Sequence, residues 1–284
     1  MQNILVTGCD GQLGNALKNI SNIFSYDFFF VNKNDLDICD YKKVNNYLFD
    51  NKINFIINCA AYTDVIAAEN DFNLAKKINA DSLDNLAASC QKNKIKLIHI
   101  STDYVFDGFK NTPYNEEDLT NPLNNYGISK LIGEKKILKY NLPGSIIIRT
   151  SWLYSKSKNN FVSKILNKIS EKKKIYVPGD EIGSPTSVSD LAETIFSILP
   201  KLNNKTTEIF HYSNIGECSR LKFAIEINKL VNGNAIISAN NLQNYTVKRP
   251  SYSSLSSQKL IDYFDIKINR WDTSLKFFLN ENKR

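Results

Sequence analysis

The stretch Asn3-Ile4-Leu5-Val6-Thr7-Gly8-Cys9-Asp10-Gly11-Gln12-Leu13-Gly14 is an apolar run that breaks into three glycines and then resumes with helical spacing. It reads as strand, tight turn and helix. Glycine suits such a turn because a side chain would stop the backbone approaching a pyrophosphate. The first turn of the helix then offers that anion unpaired N–H groups and a positive dipole end. The reading is a dinucleotide site at the start of the chain. The spacing, Gly-x-x-Gly-x-x-Gly, is one residue looser than Gly-x-Gly-x-x-Gly, and glycines this dense also suit a plain mobile turn.

Outward from this stretch, strand and helix alternate. The pattern predicts an aromatic-rich strand over 26–31, a helix over 41–51, a buried strand over 54–59 and a long helical region over 67–93. A strand over 96–100, a helix over 130–140 and a strand over 145–148 follow. Units of this length imply a parallel sheet with right-handed crossovers, whose ligands sit beyond the carboxyl ends of the strands. Beyond Arg149 the rhythm weakens. Helices are predicted over 158–174, 190–199, 221–231 and 273–279, with a Pro/Gly-punctuated loop over 177–186 and a strand over 209–213 that returns to the sheet. The predicted fold class is α/β, a Rossmann-type doubly wound parallel sheet with a smaller, discontinuous α/β substrate lobe. Residues 1–150, rejoined by about 187–214, would form the dinucleotide-binding domain; 151–186 and 215–284 would form the lobe, with substrate in between.

Composition excludes several classes of protein. A chain of 284 residues, 42% hydrophobic and 23% charged, is long enough for a buried core and ordinary for a globular protein. No apolar run is long enough to span a bilayer, and Met1-Gln2-Asn3 lacks the basic-then-apolar start of a signal peptide, so a cytoplasmic protein without a membrane partner is expected. The five cysteines, Cys9, Cys39, Cys59, Cys90 and Cys218, are odd in number and scattered, which suggests free thiols rather than a disulfide framework or a metal site. The net charge of +7 is spread over helix faces and suits an anionic nucleotide better than a nucleic acid; Lys172-Lys173-Lys174 reads as a solvated helix end. His99 and His211 each lie in an apolar strand and read as core histidines, so no catalytic metal is expected.

Two further stretches carry chemistry. The second strand ends in Val31-Asn32-Lys33-Asn34-Asp35-Leu36-Asp37-Ile38. An acid there reads the adenosine ribose, whereas a basic residue accommodates a 2′-phosphate. Asn32-Lys33 therefore leans toward NADPH over NADH, with Asp35 or Asp37 in reach of the ribose or adenine. In Tyr126-Gly127-Ile128-Ser129-Lys130 the phenol and the ammonium stand four apart at the start of a helix, on one face. A free tyrosine titrates near 10, and an adjacent ammonium lowers that value by favouring the phenolate. Ser101-Thr102, at the end of the preceding strand, supplies a hydroxyl to hold a carbonyl oxygen. Taken alone, the Tyr-Lys pair also suits a plain helix surface, Trp152 a core aromatic, and Asp103 and Asp107 loop-shaping turns.

The chain resembles the extended short-chain dehydrogenase/reductases over nearly its whole length. The resemblance is carried by Thr7 to Gly14, Asn58-Cys59-Ala60-Ala61-Tyr62-Thr63, Ser101-Thr102-Asp103-Tyr104-Val105-Phe106-Asp107-Gly108 and Tyr126 to Lys130 with Gly133-Glu134. It continues through Arg149-Thr150-Ser151-Trp152-Leu153-Tyr154, Gly183-Ser184-Pro185-Thr186 and Arg249-Pro250 with Ser253 and Leu255. It implies that Gly8, Gly11, Gln12, Leu13 and Gly14 hold the pyrophosphate, Asp37 and Ile38 the adenine end, and Ala60, Ala61 and Tyr62 the nicotinamide side. Thr102, Tyr126 and Lys130 would be the catalytic set, the last two also touching cofactor, and Tyr104 and Trp152 would line the sugar site. Ile66, Glu181 and Asn32 depart from the family pattern, where Asp, Gln and Asp are usual. The implied reaction is NADPH- or NADH-dependent reduction of the 4-keto group of a dTDP-linked 6-deoxyhexulose, giving dTDP-L-rhamnose. Another nucleotide-linked keto-sugar, or a non-catalytic regulatory subunit like that of methionine adenosyltransferase, stays open at this point, as does a homodimer.

Overall fold

The computed structural model describes residues 2–157, 159–171, 174–240 and 247–281. The first half supplies β1 (Asn3–Thr7), α1 (Gln12–Ile20), β2 (Asp27–Val31), α2 (Tyr41–Asp50), β3 (Phe55–Asn58), α3 (Val65–Asn70), α4 (Phe72–Lys76) and α5 (Ser82–Asn93). It continues with β4 (Lys96–Thr102), α6 (Asn125–Leu138) and β5 (Ile146–Thr150). The rest supplies β6 (Leu153–Tyr154), α7 (Phe161–Ser170), β7 (Ile175–Val177), β8 (Ile182–Gly183), β9 (Thr186–Ser187), α8 (Val188–Ile198) and β10 (Glu208–Tyr212). It ends with β11 (Cys218–Ser219), α9 (Arg220–Leu230), β12 (Ile237–Ala239), α10 (Gln258–Phe264) and α11 (Trp271–Glu281).

Six strands form one parallel sheet in the order β2-β1-β3-β4-β5-β10. The chain steps from β1 outward to β2 and then back past β1 to β3, so the order reverses beside the glycine turn, where an open α/β sheet leaves a crevice. Central strands covered on both faces are apolar without alternation, and β3 and β5 are buried at every residue. Ile4, Val6, Ile57, Ile98 and Ile148 meet Leu13 and Leu17 of α1 and Leu191 and Ile195 of α8. On the other face Leu5, Ile56, Leu97 and Ile147 meet Val44 and Leu48 of α2, Leu86 of α5 and Ile137 of α6. The fold class expected from the pattern is thus the observed one. A separate cluster, built on Tyr154, Phe223, Trp271 and Leu275, belongs to the later elements.

Several elements differ from their expected limits, each for a local reason. The helical region over 67–93 is broken: Asp64 caps α3 through the N–H groups of Ile66 and Ala67, and Asp71 caps α4 through Leu74. A π-helical turn over Lys77–Asp81 then swings Asn79 inward, where its amide holds both the N–H and the carbonyl of Tyr62 and the Ser129 hydroxyl. Helix α6 begins five residues before the predicted start, because Asn124 accepts a hydrogen bond from Gly127 N at 2.8 Å. The loop over 177–186 contains β8, which pairs with β11. Strand β10 does return to the sheet, beside β5, and α10 covers it, with Leu260 and Phe264 joining the sheet's own core. Of the run Lys172-Lys173-Lys174, the first two lie outside the described residues. Among the described residues no helix is long and apolar enough to cross a membrane.

A buried ion pair fastens α6 to the sheet. Glu134 on α6 receives Arg149 of β5 through Nη2 at 2.7 Å and Nε at 3.0 Å, and Ser101 of β4 donates to the same carboxylate. Both partners are almost fully buried, at 1% and 3% exposure, so removing one leaves the other charged and unpaired. Glu134→Ala is expected to lower the unfolding free energy by about 3–5 kcal/mol in urea titration, and Glu134→Met with Arg149→Met to recover most of the loss. A single substitution costing under about 1 kcal/mol would show that the pair carries little.

Candidate active site

Beyond the carboxyl ends of β1, β3, β4 and β5 lies a cavity of about 700 Å³. Its floor is the glycine turn. Gly8 has φ +65°, in the left-handed region, and a Cβ there would lie 2.7 Å from Ala60 N. A Cβ on Gly14 would lie 2.4 Å from the Gly8 carbonyl, so only glycine lets α1 pack this closely on the turn that precedes it. Helix α2 is capped by Asp40 and α6 by Asn124, yet no side chain caps α1 and its first turn carries no acid. Gly11 N–H donates to the Gly8 carbonyl at 3.0 Å and closes the turn, which leaves the N–H groups of Gln12 and Leu13 as open donors on the cavity wall, a fit for a diphosphate.

At the end of β2, Lys33 lies exposed on the cavity rim with Asp37 and Ile38. Asp35 is spent elsewhere. Its Oδ2 accepts from Asn32 N at 3.0 Å while Asn32 Oδ1 accepts from Asn34 N and Asp35 N, a reciprocal turn that fixes the backbone around Lys33. Ala60 and Ala61 line the cavity, but Tyr62 does not; Asn79 clasps its backbone instead.

The structure brings Thr102, Tyr126 and Lys130 to the same wall. Thr102 ends β4, Tyr126 occupies the first turn of α6, and Lys130 stands one turn on. Burial pushes the Tyr126 phenol up, and a hydrogen bond with Thr102 works the other way. The Lys130 amine meets the Ile100 carbonyl at 2.7 Å and His99 Nε2 at 3.2 Å rather than the phenol. Burial lowers its pKa to about 8, against the opposing pull of Glu134 and Cys59. The lowering of the phenol by Lys130 that the sequence suggested is therefore not a feature of this arrangement. His99 is held neutral by burial, with the Asn58 amide 2.9 Å from Nδ1, and Asn58 in turn accepts from Thr7. A polar chain thus runs through the sheet from β1 to Lys130.

Tyr104 packs edge-on against Tyr126, with ring centroids 5.8 Å apart. Trp152, at the cavity, has φ +46°, its ring against Gly183, where a Cβ would lie 2.5 Å from Cε2, and one face covered by the Arg220 guanidinium, 3.4 Å from the ring centroid. Sequence reading missed two residues of this wall. Asp103 is 3% exposed, not a surface turn: its Oδ1 accepts from the Thr102 hydroxyl at 3.1 Å, and burial pushes its carboxyl up to about 6 against the Thr102 and Ser253 hydroxyls and Arg220. Arg220 opens α9, and nothing in its own neighbourhood of sequence announces a role in the cavity.

An open glycine turn at a sheet crevice, with a phenol, a lysine and a hydroxyl beyond it, defines an oxidoreductase of the nicotinamide-dinucleotide type. The chain belongs to the family described as RmlD substrate binding domain, whose model matches residues 1–284. It is 34% identical to a dTDP-4-dehydrorhamnose reductase of Aggregatibacter actinomycetemcomitans, covering 97% of this chain and 98% of that one. Among solved structures it is similar to a dTDP-4-dehydrorhamnose reductase of Clostridium acetobutylicum, with a TM-score of 0.94, 34% identity and all of both chains covered. It is also similar to a dTDP-4-dehydrorhamnose reductase of Bacillus anthracis in complex with NADP, with a TM-score of 0.93, 34% identity and 99% of each chain covered.

The buried Lys130 gives a pH signature. Its folded pKa of about 8 lies below the ordinary 10.5, so between those values the unfolded chain holds a proton that the folded one lacks. Stability from this group therefore rises with pH across pH 8 to 10.5, by on the order of 3 kcal/mol. Urea unfolding of Lys130→Met, compared with the unaltered protein over that range, is expected to lack this rise. Parallel curves for the two proteins would mean that the amine is not desolvated.

Proposed function

We propose that the protein reduces the 4-keto group of dTDP-4-dehydro-6-deoxy-L-mannose, dTDP-4-dehydrorhamnose, to dTDP-L-rhamnose with NADPH. The observation that carries this reading is the meeting of Thr102, Tyr126 and Lys130 at a cavity that begins on the uncapped glycine turn. Relatives of that activity covering nearly the whole chain support the substrate class. A relative solved with NADP and the exposed Lys33 on the rim support the phosphorylated cofactor, with NADH the weaker alternative. Residues 151–186 and 215–284 are proposed as the substrate lobe, since Trp152 and Arg220 reach the cavity from it. Nucleotide sugars are built in the cytoplasm, and we place the protein there.

NADPH, when bound, supplies a hydride to the carbonyl carbon. The negative charge that builds on the carbonyl oxygen must be protonated as it forms, and Tyr126 is the acid. Thr102 holds the same oxygen. A hydroxyl has one hydrogen to give, so Thr102 must turn it from Asp103 Oδ1 toward the substrate. Lys130, whose amine rests on the Ile100 carbonyl and His99, would turn to the phenolate left behind, and with a pKa of about 8 it passes a proton on at little cost. Gly8, Gly11, Gln12, Leu13 and Gly14 hold the diphosphate; Lys33, Asp37 and Ile38 hold the adenosine end.

Tyr126→Phe removes the acid and almost no volume, so turnover is expected to fall about 10²- to 10⁴-fold with NADPH affinity kept. Lys130→Met is expected to lower both turnover and cofactor affinity, and Thr102→Val mainly turnover. The assay is loss of NADPH absorbance with the 4-keto sugar nucleotide; full activity of Tyr126→Phe would sink the assignment. On the cofactor side, NADPH should bind better than NADH and Lys33→Ala should narrow the gap severalfold, measured by fluorescence titration; equal affinities in the unaltered protein would remove that argument.

A further inference from the structure

Four buried side chains, Thr7, Asn58, His99 and Lys130, lie end to end through the sheet, each at most 1% exposed, and the mechanism above uses only the last. Every contact in the row has a direction. Thr7 Oγ1 takes the Ala60 N–H at 3.4 Å and donates to Asn58 Oδ1 at 2.5 Å; among the described residues its hydrogen has no other acceptor. Asn58 therefore turns Nδ2 to His99 Nδ1, 2.9 Å away, and an amide nitrogen only donates, so Nδ1 accepts. Burial keeps the ring neutral, which puts its one hydrogen on Nε2, facing the Lys130 amine at 3.2 Å. An ammonium has no lone pair to receive that hydrogen. A free amine has one, and it still donates to the Ile100 carbonyl at 2.7 Å. The row is satisfied throughout only when Lys130 has lost its proton.

We propose that His99 is a positioning residue for the proton cycle of Lys130: it receives the amine once Lys130 has given its proton to the Tyr126 phenolate. This rests on the reductase reading given above. In that step an Nζ–H bond breaks and the Oη–H bond forms. The electron pair left on Nζ takes the hydrogen of His99 Nε2, and solvent returns a proton to the amine before the next turnover. A buried amine without such a donor would keep its lone pair unmatched, which would oppose the transfer. Asn58 and Thr7 act through the ring, by fixing its tautomer. Besides Tyr126, the ionisable groups around the amine are Glu134, on the same helix and bound by Arg149, and Cys59, after β3. Both favour the charged form, so the ring is their counterweight.

The chain holds two histidines, so both rings can be read in one proton–nitrogen correlation spectrum of histidine-labelled protein. His211 is the internal control, because its Nδ1 faces the Tyr114 carbonyl at 3.1 Å and must carry the hydrogen there. His99 is expected to show the opposite pattern, with the hydrogen on Nε2. A hydrogen on Nδ1 of His99, or a charged ring, overturns the proposal. Asn58→Asp replaces the donating end by a second acceptor, which draws the ring hydrogen to Nδ1, makes Nε2 an acceptor and favours the ammonium. The basic limb of kcat/KM, set by loss of that ammonium at about pH 8, is expected to move up by about one pH unit or more. Thr7→Val, which removes the hydroxyl and keeps the shape, frees the amide to turn; it serves if the Asp variant fails to fold, with a smaller shift in the same direction. A lower rate with the limb unmoved would make the row a structural one and overturn the proposal. An unaltered protein inert toward every 4-keto sugar nucleotide overturns the reductase reading and the role of His99 with it; an active one whose variants keep the limb in place overturns only the role of His99.

Discussion

The groups proposed to react come from different elements, and their spacing depends on the contact between Glu134 and Arg149. Tyr126 and Lys130 ride on α6, Thr102 ends β4, and Trp152 follows β5. The carboxylate of Glu134, one turn beyond Lys130, takes the guanidinium of β5 and the hydroxyl of Ser101, the residue before Thr102. A hydroxyl and a phenol must approach one oxygen within a few tenths of an ångström. Apolar packing of Ile137 of α6 with Leu97 and Ile147 sets the distance between helix and sheet but leaves sliding along the helix axis cheap. A bidentate ion pair does not, because its geometry is directional.

The polar interior follows one rule. Lys130, His99, Asn58, Glu134 and Arg149 are buried and partnered by the protein itself, as desolvation demands. Asp103 and Arg220 line the cavity with partners of their own, the Thr102 hydroxyl and the Glu181 carboxylate, so the site shares side chains with the scaffold that carries it.

Much of this was legible in the chain. Continuous apolar runs at Phe55–Asn58 and Ile146–Thr150, and the glycines after β1, point to a parallel sheet with a crevice, because strand burial on both faces and a tight turn are local properties. The Tyr126–Lys130 spacing is legible for the same reason. What was hidden depends on distant partners. The break at Asn79 exists because Tyr62 and Ser129 need its amide, and helix propensity says nothing of them. Asp103 resembles any turn-forming acid until the fold buries it. Arg220 is an unremarkable basic residue at a helix start until Trp152, Phe161 and Glu181 close around it. Even the backbone of Tyr62, placed by resemblance on the nicotinamide side, is held by that same Asn79.

The covering of β10 by α10 bears on how the protein is made. The strand that completes the large sheet, Glu208–Tyr212, is sealed by Leu260 and Phe264, which join a core otherwise laid down by residues 4 to 212. Lys259 of α10 donates to the Ile209 carbonyl of β10, and Lys201, after α8, donates to the Phe264 carbonyl. During synthesis the large sheet therefore emerges from the ribosome with β10 still bare, and that strand is covered only after residues 258–264 have followed it out. Chaperone capture in that interval and any truncation that removes α10 act on the same uncovered strand, so the late helix bears on the large sheet and not only on its own neighbours.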